Sequence, residues 1–151
     1  MKNKKKEIVE IEIPSKTLRV KQGMCSNWHS LMDEEHLING FPSIAVLAKY
    51  GDKEGLVYLD PVYGSYKNIW ELTVPDGEIV ELYCPHCGVS LAEKGQICDD
   101  CLAPIFVIYL PKGGVIEACT RNGCRHHSLK FTDSEEISKK LLEEHYLDYM
   151  F

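Results

Sequence analysis

The chain has 151 residues, 44% of them hydrophobic, and a formal charge of −6 at neutral pH. That length is most simply one domain with a modest core. No apolar run reaches the roughly 20 residues that cross a bilayer, and an acidic body repels phosphate, which disfavours nucleic acid as a partner.

Residues 1–6 carry four lysines and read as a basic, solvated tail, with 7–151 a single domain. That domain divides into a β-rich part (7–83), a cysteine-bearing part (84–131) and a terminal helix (132–151). No apolar segment follows the first methionine to make a signal peptide, so a cytoplasmic location is expected. Seven cysteines then read as thiols and metal ligands rather than bridges.

Glu7–Ile13 alternates acidic and apolar residues and predicts a strand, broken by Pro14 and Ser15, with a short return over Thr17–Lys21. Ser26 or Asn27 can cap a helix that Asn39 and Gly40 would end, placing His29, Asp33 and His36 on one face as metal ligands or acid–base groups. The alternative is an exposed polar face, or no helix at all. Ser43–Tyr50 and Leu56–Leu59 read as strands joined by a loop from Gly51 to Gly55, followed by strands over Tyr66–Val74 and Glu78–Tyr83 with a Pro75-Asp76-Gly77 turn between them. Tyr58, Tyr63, Tyr66, Trp70 and Tyr83 either pack a core or form a binding surface. The apolar run Pro104–Leu110 predicts a central strand, with further strands over Val115–Cys119 and Ser128–Phe131. Thr132 and Asp133, followed by Glu135 and Glu136, mark a helix start. Ile137, Leu141, Leu142, Tyr146, Tyr149 and Met150 give that helix an apolar stripe, which is expected to dock on a partner or a second copy.

Tyr83 to Cys101 reads Y-C-P-H-C-G-V-S-L-A-E-K-G-Q-I-C-D-D-C and holds Cys84, Cys87, Cys98 and Cys101. Two residues between cysteines allow a tight turn that aims both sulfurs at one centre, and two such turns make a closed tetrahedral site. Gly88 suits the left-handed position after the first pair, and Glu93, Lys94 and Gly95 suit a short hairpin between the pairs. Over these residues the chain resembles a zinc ribbon with rubredoxin-like knuckles. The resemblance implies a structural four-cysteine zinc site in a mainly β, antiparallel fold. Rubredoxins carry the C-P-x-C-G form at their second knuckle, whereas here it stands first and C-D-D-C-L second, which favours zinc over iron. Two disulfides or four buried thiols are the non-metal alternatives.

Cys25, Cys119 and Cys124 fall outside that motif. With His126 or His127 they make a possible second metal site of three cysteines and one histidine, set against the alternative that the thiols are simply buried. No glycine-rich phosphate loop and no G-x-S-x-G is present, and Cys25 with His29 is the one pair offering a nucleophile and a base. Lys112, Arg121, Arg125 and Lys130, beside His126 and His127, are the nearest approach to a basic face. The reading is a zinc-ribbon accessory or adaptor protein acting through a protein partner or larger complex, with a homo-oligomer allowed and enzyme activity left open. The alternatives are an electron carrier with one iron held by four thiolates and a metal-dependent enzyme using the His29, Asp33, His36 cluster.

Overall fold

The computed structural model describes residues 9–10, 19–111 and 113–131. Among the described residues ten strands, all paired antiparallel, make two sheets. The strands are β1 (Val9–Glu10), β2 (Met32–Ile38), β3 (Phe41–Tyr50), β4 (Lys53–Leu59), β5 (Ile69–Trp70), β6 (Glu81–Tyr83), β7 (Ala92–Ile97), β8 (Pro104–Tyr109), β9 (Gly114–Cys119) and β10 (His127–Phe131). One sheet runs β1-β10-β9-β8-β7. The other runs β2-β3-β4-β5, and β6 shares the β2 edge of β3.

Period-two side-chain alternation explains why the sheets meet. Ile44, Val46 and Ala48 of β3 and Val57 of β4 join Phe106 and Ile108 of β8 and Ile116 of β9 in one buried core. The opposite face of β3 and β4 places Ala45 and Tyr58 in a separate small cluster with Ile38. Strand β8 is buried along Ile105, Phe106, Val107 and Ile108, as its continuous apolar run predicts for a central strand. The aromatics divide accordingly: Tyr58 is buried, while Tyr63 and Trp70 pack against the main core. A cavity of about 370 Å³ remains between the sheets, lined among others by Val57, Leu59, Tyr63, Trp70, Phe106 and Ala118.

Three expectations change. The helix expected after Ser26 is strand β2, and Asn39 and Gly40, with φ of 58° and 83°, turn it into β3 with Ile38 opposite Phe41. Two consecutive left-handed residues twist with the strands they join, so Asn-Gly here closes a hairpin instead of ending a helix. His29, Asp33 and His36 therefore share no helical face. His36 pairs with Asp33 at 3.1 Å on the exposed strand, and His29 lies in a different turn. The hairpin expected at Glu93-Lys94-Gly95 is also absent. Ala92 faces Phe106 and Ile97 faces Pro104, so both halves of β7 run the same way along β8 and the intervening residues bulge outward, with Gly95 at φ 78°. The strand expected over Tyr66–Val74 shortens to β5, its first residues being held by a loop centred on Asp60. That carboxylate accepts from Asn39 Nδ2, the Val62 and Lys67 amides and the Ser65 hydroxyl.

No helix occurs among the described residues, and none there could cross a membrane. The helix expected over 132–151, the tail 1–6 and most of the strand over Glu7–Ile13 lie outside the described residues.

Candidate metal centres

Four tight turns, each closing a hairpin, carry the chain's seven cysteines. Turn 1 (25–29) lies within the Met24–Ser30 bridge, turn 2 (84–88) within the Tyr83–Ser90 bridge, turn 3 (98–102) between β7 and β8, and turn 4 (119–124) between β9 and β10. In each turn the leading sulfur accepts a backbone N–H: His29 to Cys25 at 3.4 Å, His86 to Cys84 at 3.3 Å, Asp100 to Cys98 at 3.4 Å and Arg121 to Cys119 at 3.4 Å. Such bonds stabilise a thiolate over a thiol.

The turns come in two shapes. In the C-x-x-C turns a left-handed residue follows the second cysteine: Gly88 at φ 78° and Leu102 at φ 68°. In the longer turns it precedes the second ligand: Trp28 at φ 64° before His29, and Gly123 at φ 98° before Cys124. Each long turn faces one short turn.

Two groups of four ligand atoms result. Cys25, His29, Cys84 and Cys87 form centre A, and Cys98, Cys101, Cys119 and Cys124 form centre B, with all ligand atoms of each group within 4.8 Å of one another. Zinc–thiolate bonds of about 2.3 Å in a tetrahedron put neighbouring sulfurs about 3.8 Å apart. The Cys25–Cys87 sulfurs are 3.9 Å apart, the Cys98–Cys124 sulfurs 3.8 Å and the Cys101–Cys119 sulfurs 3.3 Å, while His29 Nδ1 stands 3.6 Å from Cys25. All seven cysteines are free thiols, well beyond the about 2.05 Å of a disulfide. Three cysteines with one histidine, and four cysteines, are donor sets that can hold a tetrahedral metal ion, and the spacing fits such an ion.

The sequence motif is thus split. Cys84 and Cys87 belong to one centre and Cys98 and Cys101 to the other, because β7 does not double back and leaves turns 2 and 3 at opposite ends of its pairing with β8. The second expected set also divides: Cys25 lies in centre A and Cys119 and Cys124 in centre B. His126 is no member of the four-sulfur group but sits beside it, its Nδ1 3.1 Å from Asp100. The backbone of His127 pairs with Ala118 in β10. His29 and Cys25 come together, with Nδ1 3.6 Å from Sγ, and both fall in centre A.

Strand β8 positions both centres. At its start, Ile105 faces Cys119 and the Pro104 carbonyl accepts the Thr120 amide at 3.2 Å, which seats turn 4. At its end, Tyr109 and Met24 exchange two backbone hydrogen bonds of 2.9 Å, which seats turn 1. The segment before β6 braces turn 4 from the other side: Asn122 Nδ2 donates to Val74 at 2.8 Å and the Val80 amide to Thr120 at 3.1 Å.

Each centre holds thiols of opposed acidity. The Asn27 amide and the Val89 N–H draw the exposed Cys87 thiol down to about 6, while burial pushes Cys84 up. The Arg121 guanidinium and the Ala103 N–H draw Cys101 down to about 6, while burial and the adjacent sulfurs push Cys119 well above the usual thiol range. Crowded sulfurs cannot all ionise on their own, and a divalent cation among them removes that conflict.

No family model, curated protein or solved structure matches the chain.

Proposed function

We propose that the chain is a zinc-binding accessory or adaptor protein, built around two structural ions and acting through protein–protein contacts. The observation that carries the metal reading is the closure of eight ligands, seven sulfurs and one imidazole nitrogen, into two groups of four whose ligand atoms all lie within 4.8 Å of one another. Closed sets of this kind leave no position for water or substrate, which supports a structural role over a catalytic one. The partner role draws on the turns themselves. Trp28 and Leu102 occupy the left-handed positions of turns 1 and 3 and are 60% and 68% exposed. A large apolar side chain on a turn braced by a metal is pre-ordered for contact, which lowers the entropy lost on binding.

Metal analysis of reduced, freshly purified protein tests the first part: two zinc ions per chain are expected in a colourless solution, whereas the colour of a ferric tetrathiolate would transfer the reading to electron transfer. For the second part, Trp28→Ala with Leu102→Ser should keep both ions and abolish capture of the cellular partner that the parent protein retains. Undiminished capture of that partner would remove the turns from the interface.

A further inference from the structure

Centre B has a flank that its four sulfurs do not account for. We infer that Cys98, Asp100 and His126 form a third cation site, for a divalent zinc-like ion, that shares the Cys98 sulfur with the tetrathiolate. It rests on the proposed occupancy of centre B. The three ligand atoms lie within 4.8 Å of one another. His126 Nδ1 and Asp100 Oδ2 are 3.1 Å apart, close to the about 3.3 Å between tetrahedral nitrogen and oxygen ligands bonded at 2.0–2.1 Å. A carboxylate and an imidazole nitrogen so placed need a shared proton or a shared cation between them.

Charge favours the cation. A divalent ion with four thiolates keeps two negative charges, and Asp100 adds a third. Of the described cations beside centre B, Arg121 works on the Cys101 side, where its Nη2 reaches the Cys101 carbonyl at 3.4 Å and its guanidinium acidifies that thiol, and Arg125, between Cys124 and His126, lies over the Tyr66 ring at 4.8 Å. On the Cys98 side stand Asp100 and His126, and His126 also borders a recess of about 80 Å³ whose lining includes Gln96, Asp99 and Ser128. The Cys98 sulfur accepts one N–H, from Asp100 at 3.4 Å. A thiolate that holds one ion and one N–H still has a lone pair for a second ion. The site would be weaker than the closed centres and open to solvent through Asp100, whose side chain is 68% exposed.

Zinc titrated calorimetrically into protein already carrying two ions tests the site. A third equivalent is expected, weakened at least tenfold by Asp100→Asn and by His126→Ala and unchanged by His36→Ala, which removes the separate Asp33–His36 pair. Asp100→Asn is the conservative surface change, so the test survives any instability of His126→Ala. No third equivalent, or one indifferent to both changes at the site, overturns the inference. Cobalt added to the two-zinc protein should show a sulfur-to-cobalt charge-transfer band, and bound cobalt without that band overturns the sharing of Cys98. Fewer than two ions in the starting protein would instead refute the two-centre reading.

Discussion

A reciprocal substitution at the two C-x-x-C turns tests their geometry with little else changed. Gly88 follows Cys87 at φ 78° and Leu102 follows Cys101 at φ 68°, equivalent positions with opposite chemistry. Nothing lies within 4 Å of a Cβ built on Gly88, so Gly88→Ala meets no clash and its cost is conformational alone. A left-handed backbone costs an L-residue about 1–2 kcal/mol, and the smaller unfolded-state entropy of alanine returns about 0.4–1 kcal/mol, leaving a loss of about 1 kcal/mol. Leu102→Gly runs the sum backwards. Because Leu102 is 68% exposed, little burial is forfeited, and a gain of about 0.5–1 kcal/mol is expected. In a chain of this size 1 kcal/mol moves the melting temperature by about 2–4 °C. Urea and thermal unfolding of metal-replete protein, with metal content checked beforehand, give both values. A Leu102→Gly protein that melts below the parent would refute the reasoning and show that Leu102 is held by contacts the turn alone does not explain.

Cys84→Ser and Cys119→Ser should each lower the metal content from two ions to one, at separate centres; loss of both ions from either variant would show that the centres are coupled. Asp60→Ala should cost about 3 kcal/mol in urea unfolding, since it removes a charged acceptor from several loop donors at once; a change below about 1 kcal/mol would mean solvent replaces those bonds. Ala118→Val extends a cavity-lining side chain by two methyl-sized groups, each contributing about 0.8 kcal/mol when buried, and should stabilise the protein by about 1 kcal/mol after some packing strain. A destabilised Ala118→Val would indicate that the space beside β9 is narrower than its volume suggests.

Much of the sheet structure is legible in the sequence because it obeys period two. The apolar runs that form β3, β4, β8 and β9 bury alternate or continuous faces as their composition requires. Strand β2 is not legible. Its M-D-E-E-H-L-I sequence is mostly exposed, and a register shift between Asp33 and Leu37 breaks the alternation that would have marked it. The Asn39-Gly40 pair misleads, since two left-handed residues can end a helix or close a hairpin and only the flanking pairing decides. The ligand residues are all visible as Cys and His, but their partition is not. A C-x-x-C spacing fixes that two sulfurs share a centre; which other pair joins them depends on the strand pairing that seats each turn along β8. A local clue stands in the longer turns: Cys25-x-x-x-His29 and Cys119-x-x-x-x-Cys124 each place a left-handed residue directly before the second ligand.

The order of the turns along the chain has a consequence for biosynthesis. Centre A draws on turns 1 and 2 and centre B on turns 3 and 4, so the ligand sets succeed one another and never interleave. A growing polypeptide has presented every donor of the first set once residue 87 is free of the ribosome, before any donor of the second has followed. Translation at about 5–20 residues per second leaves about 0.5–2 seconds between the two events. The donors of centre A can therefore meet an ion before those of centre B emerge, the β8 pairing that seats turn 1 following later, and neither closed loop threads through the other. An interleaved cross-brace would have had to wait for its last cysteine before either ion was fully enclosed.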